Sequence, residues 1–332
     1  MDDLQQLREW TGKISSIASG YKISQILYTA FNAGVFELLD APQSPSDVAK
    51  TLNWSERGTA MLLDGLLALE LVTKKDNCYQ NTEAASACLV NTGNAYQGHI
   101  LRHNLNSIND WLALPDRVRT GTCGPYGENR SGEPLRDFIL GMKDIATISA
   151  REVLQTLDLS PYKHILDLAG GPASYAIAFL QANPDMNATL FDKPEVIEIA
   201  QEQVDAAVLG NRFAYIAGDC MADDLGGGYD LVFMSNIIHS FSAKENAALV
   251  RRVYEALVPG GAILIKDFIM ENDRSGPAFG LIFALHMLVH TPAGGTYTYD
   301  EIKGWTDAAG FINGTATALT PQTRLWLAHK PV

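Results

Sequence analysis

The sequence predicts an α/β fold, a doubly wound parallel sheet that follows a smaller, mostly helical N-terminal region. Three observations predict it. Residues 164–195 read as strand, tight turn, helix and strand. Strand and helix patterns then alternate as far as Asp267. Before them, capped helical segments and one short hairpin occupy residues 1 to about 95.

In the first of these, Ile165-Leu166-Asp167-Leu168 is a short apolar run suited to a buried strand. Ala169-Gly170-Gly171-Pro172-Ala173-Ser174 is a turn of small residues, Tyr175 to Ala182 has helical apolar density, and Asn183-Pro184 stops it. Ala188-Thr189-Leu190-Phe191 then ends on Asp192, 25 residues after Asp167. This is one unit of a parallel sheet that binds an adenosine-bearing cofactor: small residues let backbone approach the ligand, and the terminal acid can accept from both ribose hydroxyls. Taken alone, the pattern also suits a nicotinamide nucleotide or a purely structural turn.

Composition narrows the classes. The chain has 332 residues, 47% hydrophobic and 19% charged, enough for one large or two ordinary domains with full cores. Its 25 Lys and Arg against 38 Asp and Glu give a net charge of −13, which disfavours nucleic acid or an anionic membrane as partner. Cys78, Cys88, Cys123 and Cys220 show no CxxC spacing, so reduced thiols in a cytoplasmic protein are expected, with no metal ligands. MDDLQQLREW lacks a signal-peptide pattern. The apolar helix near Phe279 to Val289 is too short to span a bilayer.

Along the N-terminal region, Ile23 to Leu39 is periodic. Ser44-Pro45-Ser46-Asp47 opens a helix with a cap, a first-turn proline and an acid, and Ser55 caps Glu56 to Leu71. Val72 to Lys75 and Cys78 to Gln80 flank Asp76-Asn77 as a hairpin. The result is a winged-helix shape. Seven basic and eleven acidic residues over 1–95, with Glu56, Asp64 and Glu70 on the would-be recognition helix, oppose phosphate binding. A dimerisation module hiding an apolar helix face is the better reading. Residues 96–157 then form a connector: a helix from Tyr96 to Leu114, a loop from Arg119 to Pro134, and a helix from Leu135 to Leu157.

From 158 to 332 the α/β alternation takes over. Val196 to Val208 is a helix, Phe213 to Ala217 a strand leading to Gly218-Asp219, and Tyr229 to Met234 a strand running into Ser235 and His239. Ala243 to Leu257 is a helix, Pro259-Gly260-Gly261 a turn, and Ala262 to Ile265 a strand ending on Lys266-Asp267. Ligands of open α/β sheets bind beyond the carboxyl ends of the strands. Asp167 flanks that edge, and Asp192, Asp219, His239 and Asp267 fall on it.

With these motifs in hand, the chain resembles the S-adenosylmethionine-dependent O-methyltransferases of the plant caffeic-acid and acetylserotonin type, in their bacterial form. The likeness rests on LDLAGGPASYAIAF, LFDKPEVIEIA, Gly218-Asp219, NIIHSF, LVPGGAILIKD, HMLVHTPAGG and DAAGF, and it spans nearly the whole chain. It implies a Rossmann-like class I methyltransferase domain at 158–332, a helical linker at 96–157 contributing to the substrate pocket, and a winged-helix dimerisation domain at 1–95. The implied partners are a second copy of the chain and a small, mostly apolar acceptor, and the implied cofactor is S-adenosylmethionine.

The resemblance further implies His239 as the base for a phenolic hydroxyl, whose ordinary pKa is near ~10. Asp192 would hold the ribose and Asp219 the adenine edge. Asp167, Gly170, Gly171, Cys220 and Ser235 would complete the cofactor site. Trp111, Met142, Phe283, His286, Met287 and His290 would line the acceptor pocket.

Four departures bear on the chemistry. Ala169 and Ala173 replace the outer glycines of Asp-x-Gly-Gly-Gly-x-Gly, which suits only ordinary backbone angles. Ser240-Phe241 follows the base in place of Asp-Trp, and Thr291 replaces an asparagine. Thr296 stands where the family has an acid that buttresses the base, so the expected partner of His239 is some other group, water or a backbone carbonyl, with His286 or His290 as further candidates that nothing in the sequence places in reach. Methylation of carbon, nitrogen or sulfur, which needs no base, and a non-catalytic DNA-binding regulator are the alternative readings.

Overall fold

The computed structural model describes residues 3–124 and 131–332. Contacts divide the chain into two units, residues 1–105 and 106–332. The division falls inside the segment 96–157 that the sequence marks as a connector.

In the first unit a 30-residue helix, Asp3–Asn32, is longer at its start than the periodicity of 23–39 suggests. Gly34, at φ 73, breaks it before the short helix Val35–Leu38. Ser44 Oγ accepts the Asp47 amide at 3.2 Å, and Ser55 Oγ accepts that of Gly58 at 3.0 Å, so helices Pro45–Leu52 and Glu56–Ala68 begin where their caps require. Strands β1 (Val72–Lys75) and β2 (Cys78–Asn81) pair antiparallel. Asp76 and Asn77, at φ 49 and 61, form a left-handed two-residue turn that matches strand twist. Phe31, Phe36, Leu63, Leu66 and Tyr79 fill the core of this unit.

The second unit is built on seven strands: β3 (His164–Leu168), β4 (Asn187–Asp192), β5 (Phe213–Ala217), β6 (Tyr229–Ser235), β7 (Leu257–Asp267), β8 (Ile312–Ala318) and β9 (Arg324–His329). Their order is β5-β4-β3-β6-β7-β9-β8. The first five are parallel, and β9 runs antiparallel to β7 and β8. Helices cover both faces, which is why β3 and β6 read as continuous apolar runs rather than alternating ones. On one face Ile165, Phe233 and Leu264 pack with Val153, Phe179 and Val204 from helices Gly132–Thr156, Ser174–Ala182 and Pro194–Ala207. On the other, Leu166, Val232 and Ile265 pack with Leu249 and Ile302 from helices Ala243–Ala256 and Tyr299–Ala309. Sequence order reverses between β3 and β6, and the open carboxyl edge there is the switch point where such sheets take ligands.

Four expectations change. The helix expected over 96–114 is instead Gly98–Asn106 and Ile108–Leu112, followed by Leu114–Thr120; Pro115, which has no amide to donate, sets the start of the last. Pro259-Gly260-Gly261 lies within β7 rather than before it. The chain after β9 captures the bend, with the Gly260 amide donating to the Lys330 carbonyl at 3.1 Å and the Lys330 amide to the Gly261 carbonyl at 2.7 Å. The loop expected over 119–134 is irregular at 121–124 and helical from Gly132, while 125–130 lie outside the described residues. Ala169 and Ala173 do not have ordinary angles: both are left-handed, at φ 54 and 59. The tight passage from β3 into the next helix imposes that conformation, and alanine adopts it at a cost of about 1–2 kcal/mol each.

Val208 caps helix Pro194–Ala207 at φ 53 with its side chain 87% exposed, so it carries the same cost with no packing in return. Val208→Gly is expected to stabilise the protein by about 1 kcal/mol. Scanning calorimetry should show Tm rising by roughly 2–4 °C for a unit of this size; an unchanged or lower Tm contradicts it.

Candidate active site

The turn after β3 is tied to both of its neighbours. The Ala169 amide donates to the Phe191 carbonyl at 2.7 Å, and the Gly171 amide donates to Asp192 Oδ2 at 2.8 Å. Lys193 N–H donates to the other Asp192 oxygen at 2.8 Å. One strand further, the Gly218 amide donates to the Asp192 carbonyl at 3.0 Å, bringing Asp219 onto the same edge. Asp219 is exposed, and its Oδ1 accepts the Met221 amide at 2.8 Å. Burial raises the pKa of Asp192, while the Gly171 and Lys193 amides act against it.

Asp167 lies beneath the turn, with none of its surface exposed. Neither of its carboxylate oxygens has a hydrogen-bond partner among the described residues. Burial pushes its pKa up to about 7, with Asp192 adding to the rise; the Ala176 amide lowers it partway without completing a hydrogen bond. Gly170 is required above it, since a Cβ there would sit 2.4–2.6 Å from the Asp167 carboxyl atoms. Nothing among the described residues lies within 4 Å of a Cβ built on Gly171, which leaves the outer side of the turn open. The buried Ala173 methyl packs into the core with Phe179 and does not block that opening. Ser235 Oγ, at the end of β6, is another buried polar atom without a partner among the described residues. Open backbone, a paired acid and unpartnered polar atoms fit a polar, adenosine-bearing cofactor. Cys220 is packed with Leu168 and Phe191, and burial first, then the Asp219 and Asp192 charges, pushes its thiol up to about 12. Its position next to Asp219 is what relates it to the site.

His239 sits in a one-turn helix, Ile238–Ser240, just after β6. Its Nδ1 lies 2.8 Å from Asp267 Oδ1 at the end of β7, with both side chains nearly sealed from solvent. The same Asp267 oxygen accepts the Phe268 amide at 2.8 Å. Water or a carbonyl is therefore not the partner of His239: a carboxylate is, supplied by the neighbouring strand. Thr296 is buried but takes no part in this pair. Phe268 stacks on the imidazole at 6.0 Å, and Phe283 meets it edge-on at 4.8 Å. The Gly295 amide donates to the His239 carbonyl at 2.9 Å, and a Cβ on Gly294 would come within 2.3 Å of that oxygen.

Helix Ala278–His290 carries Phe283 on to His286 by stacking at 5.4 Å, and His286 to His290 at 4.1 Å. Trp111 Nε1–H donates to His286 Nδ1 at 3.3 Å, and His290 Nε2 lies 3.4 Å from Asp110 Oδ2. Trp111, Phe283, His286 and His290 thus form one aromatic row that reaches His239. Met287 is buried on the same helix. Met142 is half-buried on helix Gly132–Thr156 and is not part of that row. The sequence places Asp267 on this edge without giving it a role, and gives Lys266 neither. Their signal was the one that marked Asp192, a charged residue ending an apolar strand.

The O-methyltransferase domain family matches residues 122–312, and the O-methyltransferase dimerisation domain family matches residues 15–91. Acetylserotonin O-methyltransferase of Gallus gallus is 31% identical over 331 residues, 94% of each chain. A 3-hydroxy-5-methyl-1-naphthoate 3-O-methyltransferase of Streptomyces sahachiroi is 29% identical, covering 90% of this chain and 88% of that one. The structure of human N-acetylserotonin methyltransferase in complex with SAM superposes with a TM-score of 0.89 at 27% identity, covering 100% of this chain and 99% of that one. With the site's geometry, these matches establish that the chain belongs to the S-adenosylmethionine-dependent O-methyltransferase family and is a methyltransferase.

Proposed function

We propose that this methyltransferase acts on a phenolic hydroxyl of a small aromatic molecule, with His239 as the general base. The observation that carries the reading is the 2.8 Å contact between His239 Nδ1 and Asp267, sealed among Phe268 and Phe283. When bound, the cofactor supplies a methyl group already activated as a sulfonium. The chain's own work is then alignment and proton removal. Asp267 accepts a hydrogen bond from Nδ1–H, which leaves the Nε2 lone pair free to take the proton of the hydroxyl. The aromatic row from Trp111 to Phe283, with Met287 beside it, suits a flat acceptor with few polar groups. The named relatives act on acetylserotonin and a hydroxynaphthoate, both aromatic. Asp192 holds the ribose hydroxyls in this reading, Asp219 and the backbone at Cys220 the adenine edge, and Asp167, Gly170, Gly171 and Ser235 the amino-acid end.

The dimerisation region has a further consequence. Leu4, Leu7, Trp10, Ile14, Ile17 and Tyr21 recur every three or four residues along helix Asp3–Asn32, and all are exposed in the single chain. That spacing makes one apolar stripe, and the occupant we propose is the same stripe of a second copy. Free thiols at all four cysteines accord with a cytoplasmic setting.

Three outcomes follow. Turnover of His239→Ala with a phenolic acceptor should fall by roughly 10²- to 10⁴-fold, and Asp267→Asn should lose at least about tenfold; near-normal turnover of His239→Ala would point to an acceptor atom that needs no base. Gly170→Ala drives a methyl into Asp167, so calorimetry should show S-adenosylhomocysteine binding weakened by about tenfold or more, and unchanged affinity would contradict the placement of this turn in the pocket. The double variant Leu7→Glu, Ile14→Glu should elute as a monomer in size-exclusion chromatography with light scattering where the parent is a dimer; a dimer in both would remove the helix from the interface.

A further inference from the structure

Lys266 has no assigned role, and its surroundings are unusual for a lysine. It is 1% exposed, on β7, and a buried ammonium costs several kcal/mol unless it is paired. Among the described residues its Nζ has one long hydrogen bond, to Asn236 Oδ1 at 3.4 Å. It also lies 5.7 Å from the centre of the Tyr175 ring. No carboxylate among the described residues forms an ion pair with it, although an ammonium has three protons to donate.

The register says what it faces. Ser235 pairs with Lys266, and Asp167 pairs with Phe233, two residues before Ser235. Side chains alternate between faces along a strand, so Asp167, Ser235 and Lys266 share one face, the face that packs against the helix begun by Ser174 and Tyr175. Asp267 has the opposite parity and serves His239. Around Lys266, Ser235 Oγ and Tyr175 Oη are buried without partners among the described residues, as are both oxygens of Asp167. This face of the edge therefore holds one buried cation and one buried acid with no ion pair between them among the described residues, beside polar atoms without partners. A zwitterion complements that arrangement, an α-amino acid group that brings one charge of each sign.

We infer that the Lys266 ammonium, presented by β7 beside Ser235 and Tyr175, receives the carboxylate of the cofactor's amino-acid part. The inference rests on the cofactor pocket described above and adds the residue that recognises its anionic end. Lys266 is a binding residue in this scheme and takes no part in methyl transfer. The bound carboxylate supplies the counter-charge that no carboxylate among the described residues gives this lysine.

The test is calorimetric and needs no turnover. S-adenosylhomocysteine, its decarboxylated analogue and 5′-deoxy-5′-methylthioadenosine are titrated into the parent protein, Lys266→Met and Lys266→Gln. The parent should prefer S-adenosylhomocysteine over the decarboxylated analogue by roughly tenfold or more, the size of one charge-assisted hydrogen bond. In either variant that preference should shrink to about twofold or less, while methylthioadenosine binds as it does to the parent. A preference retained in both variants overturns the inference, as does a parent that shows none; this second arm holds even if neither variant folds. Equal weakening of all three ligands in the variants assigns Lys266 a structural role and overturns it too. Failure of methylthioadenosine to bind the parent would overturn the pocket itself, a result distinct from the others.

Discussion

The bond from the Gly171 amide to the Asp192 carboxylate holds together the edge where we place the cofactor. It joins the turn after β3 to the end of β4, the adjacent strand in parallel register. Two backbone bonds extend the tie, from Ala169 to Phe191 on one side and from Gly218 to Asp192 on the other. Through them the ends of three strands become one surface, and the Asp192 carboxylate is held in one orientation by two amides. A carboxylate already fixed by two amides loses little freedom on binding, which is how a site on loop ends can be as well defined as one within the sheet.

Strain and buried charge gather at this edge. Ala169, Ala173 and Asn236 are left-handed, and Asp167, Lys266, His239 and Asp267 are all buried there. Each of these features costs stability on its own. The sheet beneath offsets them with fully buried Ile165, Leu166, Leu231, Val232, Ile263 and Leu264. Parity then separates the charges. Lys266 and Asp267 are adjacent in sequence, yet the pleat sends the first to the face of Asp167 and Ser235 and the second to His239. One strand end thus sends its two charges to opposite faces, the binding role inferred for Lys266 apart from the positioning role proposed for Asp267.

The partner of His239 comes from a strand rather than from the segment that the resemblance marks. Thr296 lies on the segment where the resembling family carries an acid, and a reading tied to that segment leaves the imidazole with only water or a carbonyl. The carboxylate comes instead from β7, 28 residues after the histidine. What proton abstraction needs is a buried acceptor at Nδ1, and any strand end within reach can provide it.

Local signals in the chain were enough to define the units of the fold and most of the edge. Capping serines, the Asp76-Asn77 turn, the continuous apolar strands and their terminal acids are local signals, each set by backbone sterics or by burial on two faces. The positions of Asp167, Asp192, Asp219 and His239 at strand ends followed from them. Tertiary structure alone decided the conformation of Ala169 and Ala173, the absorption of Pro259-Gly260-Gly261 into β7, the pairing of His239 with Asp267 and the company of Lys266. All of these depend on strands distant in the chain lying side by side. Local propensity carries no record of which strand becomes a neighbour, because strand order is settled by how the apolar faces pack together.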